Sequence, residues 1–132
     1  MKLSNTFLAA VAVLLTLAVC LAVLDARATL DALPDPLEAG WQGEPVCEKL
    51  HDDEDLRVLR CTFPPTVGHE RHYHDKHFGY ALSGGRMRIT DATGVRDVDL
   101  PTGSSYASDG TEWHEVVNVG DSTVTYLIVE PR

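Results

Sequence analysis

The sequence predicts an all-β fold, a sandwich or barrel of about nine short strands. Three observations support this prediction. From Val46 onward, short strand-like runs follow one another at a spacing of roughly 8–12 residues. Glycine and proline turn signals separate these runs. No amphipathic helix of useful length lies between them, and this combination is typical of all-β sandwiches and barrels.

The first two predicted strands, Val46–Leu50 and Asp55–Phe63, form a hairpin around an acidic turn. If the hairpin is centred on Glu54, residues whose numbers sum to 108 face each other, and Cys47 then faces Cys61. Directly opposed residues in a non-hydrogen-bonded pair have Cα atoms ~4.5 Å apart, which is within disulfide range. The register therefore predicts a Cys47–Cys61 disulfide, and two free thiols are the alternative.

Seven further strands follow, and each is bounded by a turn signal such as Pro64-Pro65 or Gly84-Gly85. In chain order they are predicted at Glu70–His74, Phe78–Ser83, Arg86–Thr90, Val95–Leu100, Ser104–Ala107, Trp113–Asn118 and Thr123–Glu130.

The N-terminal residues 1–28 have the pattern of an export signal. Lys2 supplies a positive start, Phe7–Leu24 is an apolar run, and Ala26-Arg27-Ala28 is a small-x-small cleavage site. We therefore expect an exported protein, periplasmic or secreted. Because the apolar run approaches the ~17–25 residues that cross a bilayer, an uncleaved anchor formed by residues 7–24 is the alternative.

Residues 29–45 form a lead-in rich in proline and glycine, and the barrel domain is predicted over residues 46–132. About a hundred residues after the leader are enough for one core and not for two. Cys47 and Cys61 both lie in this part of the chain, where an oxidising compartment would favour their disulfide.

The net charge excludes two classes of partner. The whole chain carries 11 basic and 20 acidic residues, a formal charge of −9. Removal of residues 1–28 takes away Lys2, Arg27 and Asp25, which leaves 9 − 19 = −10. Such a surface repels nucleic acid and anionic lipid, so we expect neither nucleic-acid binding nor membrane contact beyond the leader.

Histidines are concentrated in one short stretch. His69, His72, His74 and His77 fall within nine residues. Residues two apart on a strand point to the same face, so His72 and His74 would present two imidazoles side by side. His77 opens the next strand and could return to the same site, and His114 could face the pair across the barrel interior. Several imidazoles suit one divalent ion of Fe, Mn, Zn, Ni or Cu.

These histidines lie in segments that resemble the two motifs of the cupin superfamily. His72–His74, followed by Phe78–Gly85, resembles the first motif, which contains His-x-His, a Glu and a Gly. His114–Asn118 resembles the second, which ends in His, three residues and Asn. The resemblance covers roughly residues 58–130 and implies a small jelly-roll β-barrel.

The resemblance also implies a metal site, with one departure from the family pattern. The family's motif histidines correspond to His72, His74 and His114, but no carboxylate occupies the position of the motif Glu. His77 lies near that position, so three or four histidines would hold the metal. A site of neutral ligands leaves the ion's charge uncompensated, and we therefore expect a small-molecule ligand, possibly an anionic one.

Three hypotheses remain open at this stage. The first is a metal-dependent enzyme, a dioxygenase, isomerase or lyase, and the second is a non-catalytic small-molecule or metal-binding module. The third is a purely structural barrel whose histidines are incidental. An open coordination position beside a pocket would favour the enzyme. Tyr80, Tyr106 and Trp113 are the aromatic residues that could line this pocket, with ordinary core packing as the alternative. A homodimer through an edge strand is possible for so small a barrel.

Overall fold

The computed structural model describes residues 33–132, and within that range the chain forms eleven strands and no helix. The strands are β1 Gly40–Trp41, β2 Glu44–Pro45, β3 Cys47–Asp52, β4 Leu56–Phe63, β5 Gly68–His74, β6 His77–Ser83, β7 Gly85–Asp91, β8 Gly94–Leu100, β9 Ser105–Ser108, β10 Thr111–Asn118 and β11 Val124–Pro131. In this part of the chain there is no helix with the length and apolarity needed to cross a membrane. The predicted leader, residues 1–28, lies outside the described residues.

The all-β prediction is confirmed, and each of the nine predicted strands is present. No predicted strand end lies more than two residues from the observed one. The agreement has a local cause, because glycines, prolines and acidic turn residues set the strand ends. The structure adds one element, a two-residue hairpin of β1 and β2 within the lead-in.

Two antiparallel sheets form the jelly-roll-like body. One has the order β5-β10-β7-β8, and the other has the order β3-β4-β11-β6-β9. The core lies between them and draws side chains from both sheets. Its buried members are Cys47, Leu59, Cys61, Phe63, Met87, Val116, Val124, Tyr126 and Ile128.

The β3–β4 hairpin confirms the predicted disulfide. Cys47 is paired with Cys61 in the strand register, and the two sulfur atoms are bonded. Nearer the turn, the register shifts by one residue between Lys49 and His51, so that His51 faces Val58. In a β-bulge of this kind, two residues of one strand lie opposite one residue of the other. The cysteine pair therefore keeps the predicted register, and the pairs nearer the turn are shifted by one residue.

The lead-in packs along β5. The Nε2 atom of the buried His69 lies 3.0 Å from the carbonyl oxygen of Pro36 and 3.2 Å from that of Ala39. Gly68 leaves room for the ring of Trp41, since a Cβ there would lie 2.6 Å from a ring carbon. The described part of the lead-in, from Leu33 onward, thus packs with the barrel in one compact unit.

Candidate metal centre

Two neighbouring strands bring three histidines together. His72 and His74 lie on β5 and are both buried, as the alternation along a strand requires. His114 lies on β10, directly opposite His72 in the antiparallel register. The expectation that His114 faces the pair across the barrel interior is therefore wrong. Its strand is hydrogen-bonded to β5, so the three rings form one cluster on one sheet.

The ring nitrogens of this trio converge. The Nε2 atom of His72 lies 3.0 Å from Nε2 of His74 and 3.0 Å from Nε2 of His114. A ligand nitrogen from each of the three residues lies within 4.8 Å of the other two. Two nitrogens bound to one ion at ~2.1 Å are about 3 to 3.4 Å apart. The donor set therefore fits one transition-metal ion.

Backbone contacts fix which nitrogen of His72 is available as a ligand. Its Nδ1 atom lies 2.6 Å from the carbonyl oxygen of Glu70, which can only accept a hydrogen bond. The proton is then on Nδ1, and the lone pair of Nε2 points to the other two histidines. A metal-bound histidine is commonly oriented by such a contact of its second nitrogen.

Two histidines of the cluster, His72 and His114, are neutral at physiological pH. Burial lowers the pKa of His72 to about 2 and that of His114 to about 3, and neighbouring histidines lower both pKa values further. Neutral imidazole is the form that binds a metal, since protonation would occupy the lone pair. The low pKa values therefore favour metal binding across the physiological range.

His77 lies beside the trio and is not one of its converging members. Its ring centroid is 4.7 Å from that of His74, and its Nδ1 atom lies 2.8 Å from the carbonyl oxygen of Asp75. Its side chain is buried and faces the adjoining cavity. His77 is thus close enough to act on anything held next to the trio, and its role as a fourth ligand stays a prediction.

Glu130 is a component of the site that the sequence analysis missed. Its Oε1 atom lies 3.3 Å from Nδ1 of His74, and its Oε2 atom accepts a 2.5 Å hydrogen bond from Nε of Arg57. Arg57 is in turn paired with Asp35 of the lead-in at 2.7 Å. This chain of contacts runs from the lead-in to a histidine of the trio.

Hydrogen bonds keep Glu130 negatively charged. Burial raises the pKa of Glu130, but the hydrogen bonds from His74 and Arg57 outweigh this effect and hold the pKa below its usual range. The site thus has one nearby carboxylate, although none stands at the position of the cupin motif Glu. Alternation along β11 could have identified Glu130 from the sequence. Every second residue of this strand, Val124, Tyr126 and Ile128, is buried, and Glu130 is the next in that series.

A cavity of about 400 Å³ opens beside the cluster. His77 and His114 form part of its wall, and most of the remaining wall is apolar. This volume lies in the range of ~300–1,000 Å³ that is usual for small-molecule sites. The cluster therefore has one side that faces a space large enough for a small molecule.

Of the three aromatic residues predicted to line a pocket, only Tyr106 does so. Tyr80 alternates with the inward residues Gly79 and Ala81 on β6, and its side chain is on the outer face, 40% exposed. Trp113 precedes the inward His114, and its ring stacks against the guanidinium of Arg71 at 3.8 Å. The predictions for Tyr80 and Trp113 are wrong because strand parity directs both side chains away from the cavity.

A glycine makes room for Tyr106. A Cβ on Gly79 would lie 2.3 Å from a ring carbon of Tyr106, so the ring rests directly on the backbone of β6. The ring also meets His77 edge to face, with centroids 5.7 Å apart. Burial raises the pKa of Tyr106 to about 12, so its hydroxyl is protonated at neutral pH.

The family model of the cupin domain matches residues 59–130, more than half of the 132 residues. No curated protein matches the chain.

Three solved structures show a similar fold. A cupin domain from Bordetella pertussis has a TM-score of 0.63 at 22% identity, covering 66% of this chain and 92% of that one. An RmlC-like cupin with a double-stranded β-helix fold from Methanocaldococcus jannaschii has a TM-score of 0.55 at 13% identity, covering 70% and 87%. The polyketide cyclase RemF from Streptomyces resistomycificus has a TM-score of 0.54 at 22% identity, covering 72% and 73%. At these identities the likeness concerns the fold alone.

Proposed function

This chain belongs to the cupin domain family, and from that premise we propose that it is an exported, metal-dependent enzyme acting on a small molecule. His72, His74 and His114 would hold one divalent metal ion. The observation that carries the proposal is the cavity of about 400 Å³ whose wall includes His114 and His77. A small molecule in that cavity would lie directly against a ligand of the ion.

The residues around the ion would each have a definite task. The three Nε2 atoms would bind it, and the contact between Glu130 and His74 would fix the orientation of one ligand. Glu130 would also offset part of the ion's positive charge from the buried side. When bound, such an ion supplies a Lewis acid or, if it is iron, a partner for O₂.

The apolar wall would keep bulk water from the reacting region. Met87 and Val116 are both buried and line the cavity, and the hydroxyl of Tyr106 stays protonated there. Exclusion of water strengthens each electrostatic interaction between the site and a bound molecule. These features are what an enzyme site needs, whereas a purely structural barrel would have no use for them.

Export is proposed on the disulfide together with the leader. The Cys47–Cys61 bond is the type of cross-link that persists in an oxidising compartment and is rare in the cytosol. Residues 1–28 carry the charge, apolar and cleavage pattern of an export signal. The proposed location is the periplasm or the extracellular space.

Metal content tests the site. The protein, purified without chelator, should contain about one metal ion per chain. His72→Ala should lose the ion, because only two of the three converging nitrogens would be left to bind it. His51→Ala is the matched control, since His51 is exposed and pairs with Asp53 away from the cluster. Elemental analysis measures all three proteins, and a fully loaded His72→Ala variant would show that the site assignment is wrong.

His77→Ala tests whether the trio is complete without a fourth histidine. If His77 is a ligand, the variant should bind the metal at least about tenfold more weakly, by chelator competition. Unchanged affinity would leave His77 as a cavity residue only. The same titration on His51→Ala gives the baseline.

An enzyme site must have a coordination position that another molecule can reach. In the cobalt-substituted protein, azide should change the visible spectrum of the ion, because the side towards the cavity is open. A spectrum that azide leaves unchanged would show a closed site. Such a result would favour the non-catalytic metal-binding module over the enzyme.

A further inference from the structure

The Oγ atom of Ser104 in the cavity wall is buried and lacks a hydrogen-bond partner within residues 33–132. The hydroxyls of Tyr106 and Tyr126 belong to the same wall. Burial raises the pKa of Tyr106 to about 12 and raises that of Tyr126 further, and no hydrogen bond contributes to either shift. All three residues line the same cavity. A buried hydroxyl without a partner is costly, and a bound molecule with oxygen atoms would remove that cost.

The part of the cavity wall between these hydroxyls is apolar, and an aromatic ring of a bound molecule could pack against it. Its aliphatic and sulfur-containing members come from β6, β7, β8 and β10: Ala81, Met87, Ile89, Val98, Leu100 and Val116. Thioether sulfur and aromatic rings both make favourable contacts with aromatic molecules. Together with the rings of Tyr106 and Tyr126, this surface favours a flat, apolar body.

The charged residues of the wall give little attraction for an anion. Arg96 is the only arginine or lysine among the lining residues, and its Nη1 atom is paired with Asp91 at 2.7 Å. Hydrogen bonds from Thr93 and Arg96 lower the pKa of Asp91 to about 2, so this carboxylate stays ionised and keeps the arginine occupied. Glu130 adds a further negative charge behind His74. The expectation of an anionic ligand assumed a site of neutral ligands alone, whereas the carboxylate of Glu130 contacts His74.

We propose that the cavity binds a neutral aromatic compound that carries hydroxyl or carbonyl oxygens. The apolar body would lie against the aliphatic wall, and the oxygens would meet Ser104, Tyr106 and Tyr126. The inference rests on the proposed function, because the cavity is the one that adjoins His114. The predicted preference for an aromatic compound comes from the side chains of the cavity wall, and bound metal is not needed for it.

Binding of three probes that share one ring system tests the inference. Naphthol is neutral and carries one oxygen, naphthalene carries none, and naphthoate is an anion. Equilibrium dialysis of the purified full-length protein should show naphthol binding about five- to tenfold more tightly than naphthalene, the effect of one good hydrogen bond. Naphthol should also bind more tightly than naphthoate.

Variants that remove only a hydroxyl locate the interaction. Ser104→Ala or Tyr106→Phe should weaken naphthol binding about fivefold and leave naphthalene binding unchanged. Tyr80→Phe is the matched control, because the same change is made on the outer face of β6. Thermal melting of each variant shows whether the fold is retained, and Ser104→Ala should melt no lower than the original protein.

The outcomes separate this inference from the metal proposal. If naphthoate binds most tightly, if naphthol and naphthalene bind equally, or if none of the three binds, the inference is overturned. The same dialysis on His72→Ala should preserve the preference for naphthol even though that variant is expected to lack the metal. A preserved preference in a protein that never contained metal would leave the inference standing and overturn the proposed metal site.

Discussion

Glu130 shows how single residues determine the properties of the candidate site. The ring nitrogens of the three histidines converge, and Glu130 is the carboxylate that contacts one of these residues, at 3.3 Å from His74. It is held in place by Arg57, which also binds Asp35. Because it touches a ligand on the side away from the convergence point, Glu130 is a positioning residue.

We expect Glu130→Gln to lower the affinity for the metal roughly ten- to a hundredfold, since an amide cannot fix His74 with a charge. Chelator competition measures the affinity, and the melting temperature of the metal-free variant shows whether the fold is intact. Glu48→Gln is the control, because Glu48 makes an exposed pair with Arg60. Equal metal affinity in both variants would remove Glu130 from the site.

At the scale of the element, alternation along a strand decides which side chains reach the cavity. On β6, His77, Gly79 and Ala81 are buried, whereas Phe78 and Tyr80 are exposed. One strand thus supplies a histidine, a bare backbone on which Tyr106 rests, and an apolar outer surface. Two residues that are adjacent in sequence have unrelated environments here because their side chains lie on opposite faces.

The β3–β4 hairpin gives a stability prediction at this scale. The disulfide closes a separation of 14 residues, and such a loop is worth about 3 kcal/mol through restriction of the unfolded chain. The double variant Cys47→Ala/Cys61→Ala should therefore melt on the order of 10 °C lower by calorimetry.

Reductant provides the control for the disulfide prediction. It should lower the melting temperature of the original protein by a similar amount and leave that of the double variant unchanged. Two thiols that titrate in the untreated protein would refute the bond.

At the scale of the whole molecule, burial between the two sheets lowers the pKa of three histidines to about 4 or less. Burial is the largest cause for each, and it lowers the pKa of His69 to about 4, of His114 to about 3 and of His72 to about 2. In an unfolded chain the same residues titrate near 6.5. As the pH falls below 6.5, the unfolded chain takes up protons that the folded protein excludes.

The metal-free protein should therefore become less stable in mild acid. The contribution of the neutral histidines is fully present above pH ~6.5 and is lost as the pH falls towards the folded-state pKa values. Calorimetry should show a melting temperature several degrees lower at pH ~5 than at pH ~7. The lowered aspartate pKa values act only below pH ~4, outside this window. A flat or rising profile would contradict the burial of the histidines.

The sequence by itself determined the features that depend on local pattern. Turn residues set the strand ends, and a separation of two placed His72 and His74 on one face of β5. The spacing around the acidic turn paired Cys47 with Cys61 to form the disulfide. Each of these follows from a few consecutive residues, because strand periodicity and turn geometry act over short distances.

Only the tertiary structure decided which distant elements meet. The pairing of β10 with β5 placed His114 opposite His72 rather than across the interior. The position of β11 between β4 and β6 brought Glu130 to His74, and the course of the lead-in brought Asp35 to Arg57. Strand order is set by the packing of the whole core, and no local pattern in the chain encodes it.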